Sequence, residues 1–300
     1  MSDLARDFDA ILITGPTASG KSALAVRLAS EFDGVVINAD SMQVYDTLRV
    51  LTARPAEAEM AGIPHHLYGH VSATSVHSTG AWLRDVMALL PKLRDEGRKP
   101  IVVGGTGLYF KALTGGLSDM PEISQATRCR VRLRLKEEGV EALHAELSDR
   151  DPSLAALLHP ADGQRIVRAL EVLEETGRSI ADYQERPGPV VVDPERARKI
   201  VVLPDRDILR ERINRRFETM FDDGAVEEVQ ALLARDPDPS LPAMKAIGVA
   251  QISEMLAGRM KPHEVVERAS ALTRQYAKRQ MTWFRNQLDE TWERVDPRVA

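Results

Sequence analysis

The sequence contains very little cysteine. Cys129 is the only one among 300 residues, so neither a disulfide framework nor a cysteine-based zinc site can form within one chain. Long apolar runs are missing too, since none approaches the roughly 20 residues that a membrane-spanning helix requires. The first ten residues, MSDLARDFDA, are acidic and lack the basic start and apolar middle of a signal peptide. We therefore expect a cytoplasmic protein without a membrane partner.

Acidic residues are missing from one segment near the C-terminus. The chain as a whole carries a formal net charge of -5, which argues against a surface coated in nucleic acid. Between Arg268 and Gln287, however, every charged residue is basic. Because screened attraction acts over about 10 Å rather than over the whole molecule, this local basic face can bind a polyanion.

The remaining composition is that of a globular protein, with 43% hydrophobic and 28% charged residues. Four β-branched apolar runs without alternation predict buried parallel strands: AILIT (10–14), VVINA (35–39), PIVVG (100–104) and KIVVL (199–203). Helical patterns separate these runs, one starting near Gly20 and another covering 79–96. The order predicts an α/β fold, a parallel sheet flanked by helices.

One internal segment has a different character. Residues 118–198 are almost wholly helical in pattern, and Gly and Pro punctuate both borders. We interpret 118–198 as a helical insertion domain within a core made of 1–117 and 199–300. The alternative is a plain continuation of the helical layer of the core.

The stretch GPTASGKS, residues 15–22, fits the phosphate-binding pattern G-x-x-x-x-G-K-[ST]. Gly15 and Gly20 permit a tight turn whose N–H groups point at an anion, and the next helix adds the positive end of its dipole. Lys21 adds a full charge, and the hydroxyl of Ser22 can ligate Mg²⁺. The motif predicts a P-loop NTPase-like core in which phosphates contact Gly15, Pro16, Thr17, Ala18, Ser19, Gly20, Lys21 and Ser22. It does not establish that a phosphate bond is broken.

Asp40 follows the second predicted strand, in VVINAD. At the end of a strand beside a phosphate loop, an aspartate can hold Mg²⁺ or act as a general base. It can also simply cap the residues that follow it. The three interpretations stay open on the residues alone.

Several motifs, in this order, resemble the bacterial tRNA dimethylallyltransferases, also called tRNA isopentenylpyrophosphate transferases. They are GPTASGKS, NADSMQVY (38–45), TARP (52–55), GIPHHL (62–67), VGGTGLYF (103–110), QRIVRALEV (164–172), AIGVAQ (246–251) and RQYAKRQMTWFR (274–285). The resemblance runs from about residue 10 to 295. Val249 departs from it, since the family often has Tyr there.

The resemblance implies transfer of a dimethylallyl group from its diphosphate to the N6 amine of the adenosine on the 3′ side of the tRNA anticodon. The phosphate loop would hold the leaving diphosphate, with Mg²⁺ on Ser22 and further contacts from Thr17 and Arg216. Asp40 would be the base, an interpretation we favour over that of a metal ligand. The partners implied are dimethylallyl diphosphate and the tRNA anticodon stem-loop, and we expect a monomer.

The family's contacts to tRNA match a further set of positions: Asp40, Ser41, Met42, Gln43, Thr106, Arg128, Gln164, Arg165, Ile166, Val167, Arg168, Arg274, Lys278 and Arg285. In the last helix, Arg274, Lys278 and Arg285 form a basic stripe that suits RNA phosphates. Leu272, Tyr276 and Trp283 form a second stripe, which we expect to pack inward.

The histidines indicate little by themselves. His65 and His66 are adjacent in an extended segment, where neighbouring side chains point apart, and no third ligand has a familiar spacing. We expect a structural role for this pair. His77, His144, His159 and His263 are isolated in the sequence and receive no function.

Three other activities fit part of the pattern. An adenylate isopentenyltransferase, acting on free AMP, ADP or ATP, would share the loop and Asp40 but would not need the insertion or the basic last helix. A P-loop nucleotide kinase would consume ATP. A regulatory RNA-binding P-loop protein would tolerate loss of Asp40.

Overall fold

The computed structural model describes residues 8–296, in which the strands form one parallel sheet. They are β1 (Ala10–Thr14), β2 (Gly34–Asn38), β3 (His65–His66), β4 (Lys99–Gly104), β5 (Ala197–Val202) and β6 (Glu293–Val295). Their spatial order is β3-β2-β4-β1-β5-β6, and every adjacent pair is parallel. The predicted sheet is confirmed, with β1 and β2 buried along their whole length. The short edge strands β3 and β6 were not predicted.

Helices connect and cover these strands. They are α1 (Lys21–Glu31), α2 (Glu57–Met60), α3 (Thr79–Asp95), α4 (Gly107–Gly115), α5 (Gln125–Glu138), α6 (Val140–Arg150), α7 (Pro152–Ala155), α8 (Gly163–Thr176), α9 (Ile180–Gln184), α10 (Arg206–Asp222), α11 (Ala225–Leu233), α12 (Val249–Leu256) and α13 (Pro262–Gln287). A short 3₁₀ helix covers Pro242–Lys245. With the phosphate-loop motif between β1 and α1, this is the P-loop NTPase-like fold that the sequence predicts.

The helix α3 is fixed to the carboxyl end of β2. Ser78 caps it by accepting a hydrogen bond from the N–H of Ala81 at 3.1 Å. Trp82 is fully buried, and its Nε1 donates to the carbonyl oxygen of Asn38 at 2.7 Å. Its ring also stacks on Tyr109 at 4.2 Å between centroids. The last residue of β2 therefore has a fixed position, and Asp40 follows two residues later.

The long helix α13 packs with a face that only partly matches the one predicted. Its buried residues include Ala269, Ala277, Gln280 and Phe284, which recur at three, four and eight residues as in any helix packed on one side. Leu272 is 37% exposed, so the predicted inward stripe was wrong at that position, whereas Tyr276 and Trp283 are half-buried. The packed face contains the buried polar residue Gln280, so the sequence pattern alone does not show it as a continuous apolar stripe.

The chain divides into two compact units, one formed by Met1–Thr114 with Val190–Ala300 and the other by Gly115–Pro189. The second unit contains α5 to α9, with the lone Cys129 exposed on α5. The predicted boundary at 198 lies later than the observed one. The difference has a physical cause: the N–H groups of Val191 and Val192 both donate to the carbonyl oxygen of Leu113, in the first unit.

The helical unit has its own hydrophobic core. Leu143, Leu147, Ile166 and Leu170 are fully buried there, and Val167 is 8% exposed. The side chains of Ile166 and Val167 therefore pack in this core, and any contact of these two expected tRNA-binding residues with RNA would have to be made by their main chain. Polar neighbours on the opposite side of α8 remain available.

Within the part of the chain that the structure describes, no helix combines the length and the apolar character needed to cross a membrane.

We predict that Ile166→Ala lowers the free energy of unfolding by about 2–5 kcal/mol, because it leaves a cavity in the core of the helical unit. Chemical denaturation followed by circular dichroism measures the change. Arg165→Ala, one position earlier and exposed, is the matched control and is expected to stay within about 0.5 kcal/mol of the wild type. Equal effects of both substitutions would contradict the burial of Ile166.

Candidate functional site

The phosphate loop depends on close approach of two backbones. Gly15 has φ 155°, and a Cβ there would lie 2.6 Å from the carbonyl oxygen of Val202, at the end of β5. Gly20, which caps α1, has φ 91°. Both positions therefore require glycine. Between them Ala18 adopts φ 62°, a left-handed conformation that is uncommon outside glycine and occurs often at ligand sites.

Lys21 lies at the start of α1 with its ammonium directed back into the loop. Its Nζ donates to the carbonyl oxygen of Pro16 at 3.2 Å. Burial lowers the pKa of Lys21 to about 8; Asp40 counteracts this effect and Arg216 reinforces it. The ammonium is thus poorly solvated and close to a second cation, an environment that a bound anion would relieve.

Arg216 reaches the same loop from α10. Its Nη1 lies 3.5 Å from Oγ1 of Thr17. Burial lowers the pKa of Arg216, while Glu59 and Asp40 favour its charged form. Two cations and the N-terminus of α1 therefore meet at the loop and create a site for an anion of more than one charge.

Asp40 is held by its neighbours and leaves one oxygen available. Its Oδ1 accepts from the N–H of Met42 at 2.9 Å, and its own N–H donates to Oδ1 of Asn38 at 2.9 Å. The Nδ2 of Asn38 donates in turn to the carbonyl oxygens of Asp40 and Leu67, both at 3.0 Å. No described residue donates to the second oxygen, Oδ2. Asp40 directly precedes a turn at 41–44 rather than a helix, so it is not the N-cap of a helix.

Three tyrosines surround this carboxylate. Burial raises the pKa of Tyr68, Tyr109 and Tyr276, and the charge of Asp40 raises each of them further. Their hydroxyls therefore stay protonated at neutral pH. The charge of Asp40 thus acts on neutral phenols and on two cations, Lys21 and Arg216.

A cavity of about 300 Å³ joins these groups. Thr17, Asp40 and Arg216 line it together with Ser41 and Met42. Its apolar lining includes Leu51, Ile213, Phe217, Met220, Ile247 and the ring of Tyr276, and Lys245 and Arg279 add two further basic side chains. The structure thus brings all three predicted catalytic residues to one chamber, whose lining combines one carboxylate, three basic side chains and an apolar surface.

The residues expected to follow the substrate base differ in placement. Oγ1 of Thr106 accepts from the N–H of Ser41 at 3.0 Å and lies 3.3 Å from its Oγ, so Thr106 and Ser41 form one polar edge. Gln43 is instead turned inward, and its Nε2 donates to the carbonyl oxygens of Thr52 and Ala53. Gln43 supports the TARP turn and does not line the cavity.

The basic stripe of α13 faces elsewhere. Arg274, Lys278 and Arg285 lie on the wall of a second cavity of about 510 Å³, formed with α10 and the carboxyl end of β5. Arg274 also donates to Oδ1 of Asn214 on α10. The three predicted residues are therefore together, in a cavity that shares Ile213 with the chamber of Asp40.

The candidates in the helical unit are placed on its surface. Gln164 and Arg165 are exposed, whereas Arg168 is half-buried with its Nη1 3.6 Å from Glu171. Arg128, on α5, is also half-buried, and its Nε has no hydrogen-bond partner among the described residues. These four side chains remain candidates for contact with an RNA backbone.

Gln280, on α13, is a site residue that the sequence did not single out. It is 6% exposed. Its Oε1 accepts from the N–H of Thr17 at 2.9 Å, and its Nε2 donates to the carbonyl oxygen of Gly105 at 2.9 Å. One side chain therefore ties the phosphate loop to the turn after β4. The sequence signal that could have identified Gln280 was a polar residue on the inward, mostly apolar face of the helix.

The donor set around the loop suits Mg²⁺. Ser22 is exposed in the first turn of α1, so its hydroxyl is accessible to an ion held at the loop. Hydroxyl and carboxylate oxygens are the ligands that Mg²⁺ prefers, and it commonly keeps several waters and takes phosphate oxygens as well. The residues present fit this ion.

Comparison with known proteins places the chain among prenyl-transferring enzymes. A model of the IPP transferase family matches residues 43–287, and a model described as isopentenyl transferase matches residues 8–70. A tRNA dimethylallyltransferase from Agrobacterium fabrum is 68% identical over 297 residues, 99% of this chain and 100% of the relative. One from Rhizobium meliloti is 66% identical over 296 residues, 99% of this chain and 98% of the relative.

Solved structures agree with this placement. The tRNA isopentenylpyrophosphate transferase of Bacillus halodurans matches with a TM-score of 0.68 and 33% identity, over 96% of this chain and 89% of its own. A eukaryotic dimethylallyltransferase, described as acting on tRNA, matches with a TM-score of 0.76 and 28% identity, over 92% of this chain and 69% of its own. By the extent of the family match and the identity to these relatives, the chain belongs to the IPP transferase family.

Proposed function

We propose that the chain transfers a dimethylallyl group from dimethylallyl diphosphate to the N6 amine of the adenosine on the 3′ side of the tRNA anticodon, with release of diphosphate. The observation that carries this proposal is the cavity in which Thr17 of the phosphate loop and Arg216 share a largely apolar lining with the carboxylate of Asp40, while Lys21, buried in the same loop, interacts electrostatically with Asp40. Relatives that are 66–68% identical are named tRNA dimethylallyltransferases. This name supports tRNA over a free nucleotide as the acceptor.

The leaving group is the first half of the chemistry. The C–O bond of an allylic diphosphate breaks readily because the carbon can carry positive charge, so the main requirement is to stabilise negative charge growing on the diphosphate. Lys21, Arg216 and Thr17 are placed for this, and the apolar walls suit the dimethylallyl carbons. When bound at Ser22, Mg²⁺ would supply additional neutralisation of the diphosphate.

The nucleophile is the second half. An adenine amine is a poor nucleophile, since its lone pair is delocalised into the ring. A carboxylate that accepts its proton as the C–N bond forms contributes roughly 10²–10⁴-fold. Asp40 is the carboxylate that lines the chamber, and its Oδ2 is available for this proton. The target base must leave its stack to enter, which costs a few kcal/mol, and Ser41 and Thr106 offer a polar edge to receive it.

The proposal is tested by incubating the chain with dimethylallyl diphosphate, Mg²⁺ and unmodified tRNA. The RNA is then digested to nucleosides, and their masses are measured. An adenosine heavier by one dimethylallyl group supports the proposal, and sequencing of the fragment locates it beside the anticodon. Prenylated AMP in place of prenylated tRNA, or conversion of labelled ATP to ADP, would contradict it.

We predict that Asp40→Ala and Asp40→Asn lower kcat by about 10²–10⁴-fold while tRNA binding is largely kept, because the base is lost and the RNA contacts are not. Asn is the sharper variant, since its amide oxygen can still accept from the N–H of Met42. Single-turnover assays and tRNA filter binding measure the two quantities. Glu57→Gln, which removes an exposed charge two residues from Glu59, is the control. Transfer at wild-type rates by Asp40→Asn would exclude this base.

We predict that affinity for dimethylallyl diphosphate falls as the pH rises above about 8. Since the pKa of Lys21 in the free chain is about 8, the ammonium loses its proton in this range and the loop loses a charge. The loss approaches about tenfold per pH unit. Calorimetric titration between about pH 7.5 and 9.5 measures it. Lys21→Ala should bind weakly with a flat profile, and an equally steep profile in that variant would assign the titration to another group.

Gln280 has a positioning role in this reaction. It holds the N–H of Thr17 and the carbonyl of Gly105 at once, and a Cβ at Gly105 would lie 3.6 Å from Oδ2 of Asp40. The side chain therefore fixes the distance between the diphosphate cradle and the base, although it need not contact substrate. Misplacement of reacting groups by about 1 Å can cost 10²-fold in rate.

We predict that Gln280→Met, which keeps the volume and removes both hydrogen bonds, lowers kcat by up to about 10²-fold with little change in the KM for tRNA. Gln280→Glu should also be impaired, because one carboxylate oxygen would face the carbonyl of Gly105. Steady-state kinetics separate kcat from KM. Gln275→Met, exposed on the same helix, is the control. Unchanged kcat in Gln280→Met, with thermal melting as wild type, would refute the positioning role.

A further inference from the structure

Three potential metal ligands converge outside the chamber, on residues that the proposed reaction does not use. The Nε2 atoms of His70 and His77 both face Oδ2 of Asp85, at 3.1 and 3.0 Å. All three ligand atoms lie within 4.8 Å of one another. The sequence disguised this cluster, because His77 appeared isolated and the spacing matches no familiar metal motif.

The local fold explains how these side chains meet. His70 lies in the segment after β3, and His77 directly precedes Ser78, the N-cap of α3. Asp85 follows seven residues after that cap, two turns into the helix and on the same side. The segment after β3 therefore supplies one imidazole, and the start of α3 supplies the second imidazole and the carboxylate beside it.

The contact of its Nε2 with Asp85 is the side-chain interaction that orients His77. Its side chain is 9% exposed, and its Nδ1 is buried with no hydrogen-bond partner among the described residues. The two imidazole rings stand nearly perpendicular, at 88°, with centroids 5.5 Å apart. Each ring directs its Nε2 toward Asp85. The side chain of His77 makes no second hydrogen bond with the described residues that would explain this orientation.

We propose that His70, His77 and Asp85 bind one divalent ion of the zinc class, with water in the fourth position. Zinc bonds of about 2.0–2.1 Å place tetrahedral ligands about 3.3 Å apart. The two N–O distances of 3.1 and 3.0 Å are within a few tenths of an ångström of that value, and the two imidazole nitrogens, which lie within 4.8 Å of each other, would adjust to it when the ion binds. Two imidazoles and one carboxylate select Zn²⁺, Co²⁺ or Ni²⁺ over Mg²⁺ and Ca²⁺, which prefer oxygen. The site is thus distinct in chemistry from the Mg²⁺ expected at Ser22.

Such an ion would brace the end of β2 from two directions. The segment that bears His70 begins at Leu67, whose carbonyl oxygen accepts from Nδ2 of Asn38. The helix that bears Asp85 holds the carbonyl oxygen of Asn38 through Trp82. Asn38 in turn positions Asp40. The bound ion crosslinks both supports and acts as a structural metal.

The test uses the full chain without a histidine tag, stripped of metal by a chelator and titrated with Co²⁺ in the absence of diphosphate. We expect one equivalent to bind, with the visible absorption of four-coordinate cobalt, and Zn²⁺ to displace it while excess Mg²⁺ does not. At a Zn²⁺ concentration about a hundred times Kd, the melting temperature should rise by about 5 °C.

Three variants locate the ion: His70→Ala, His77→Ala and Asp85→Asn. Each should weaken Co²⁺ binding by at least about tenfold and abolish the thermal shift. Asp85→Asn keeps the size and one acceptor oxygen, so a normal melting curve of its metal-free form separates loss of a ligand from misfolding. His263→Ala, an exposed histidine elsewhere, is the matched control and should bind as wild type.

The proposal is overturned if the stripped chain takes up no Co²⁺ or Zn²⁺, because the cluster is then only a hydrogen-bonded pair of histidines on one aspartate. It is equally overturned if the folded variants bind the ion as the wild type does. Neither result bears on the transfer reaction, which is measured with Mg²⁺ alone.

Discussion

The close approach of backbone to backbone at the carboxyl ends of the central strands is the constraint on which this site depends. A Cβ at Gly104, the last residue of β4, would lie 2.0 Å from the carbonyl oxygen of Ala39, and one at Gly15 would lie 2.6 Å from that of Val202. Only glycine permits such contacts. They bring Asp40, which follows Ala39, beside the loop that carries Lys21. The packing of the main chain therefore determines how far the carboxylate of Asp40 lies from the ammonium of Lys21.

Side chains then complete what the main chain begins. Gln280 fills the space beside Gly105, and the ring of Trp283 lies against Gly107, where a Cβ would be 2.4 Å away. The motif RQMTWFR therefore has a structural role, because α13 places Gln280 against Gly105 and the ring of Trp283 against Gly107. The electrostatics follow from burial, which lowers the pKa of Lys21 to about 8 and raises the pKa of Tyr68 and of Tyr276.

The sequence predicted the parts of this architecture that depend on local pattern. The central strands have continuous apolar runs, and the phosphate loop has its glycines at fixed spacing, so both could be located before the structure. The edge strands β3 and β6 could not, because His65–His66 and Glu293–Val295 carry no strand pattern and form only by pairing with a neighbour. Gln280 and Thr17 are 263 residues apart, and no local signal joins them. The same reason hid the meeting of His70 and Asp85, whose contact requires the turn into α3.

The exposed thiol of Cys129 has a practical consequence. It is the only cysteine in the chain, and it lies on the helical unit, one residue from Arg128. A maleimide dye will therefore attach at a single known position, without mutagenesis. A dye on Cys129 therefore reports on the helical unit in solution, while the phosphate loop, which contains no cysteine, is not modified.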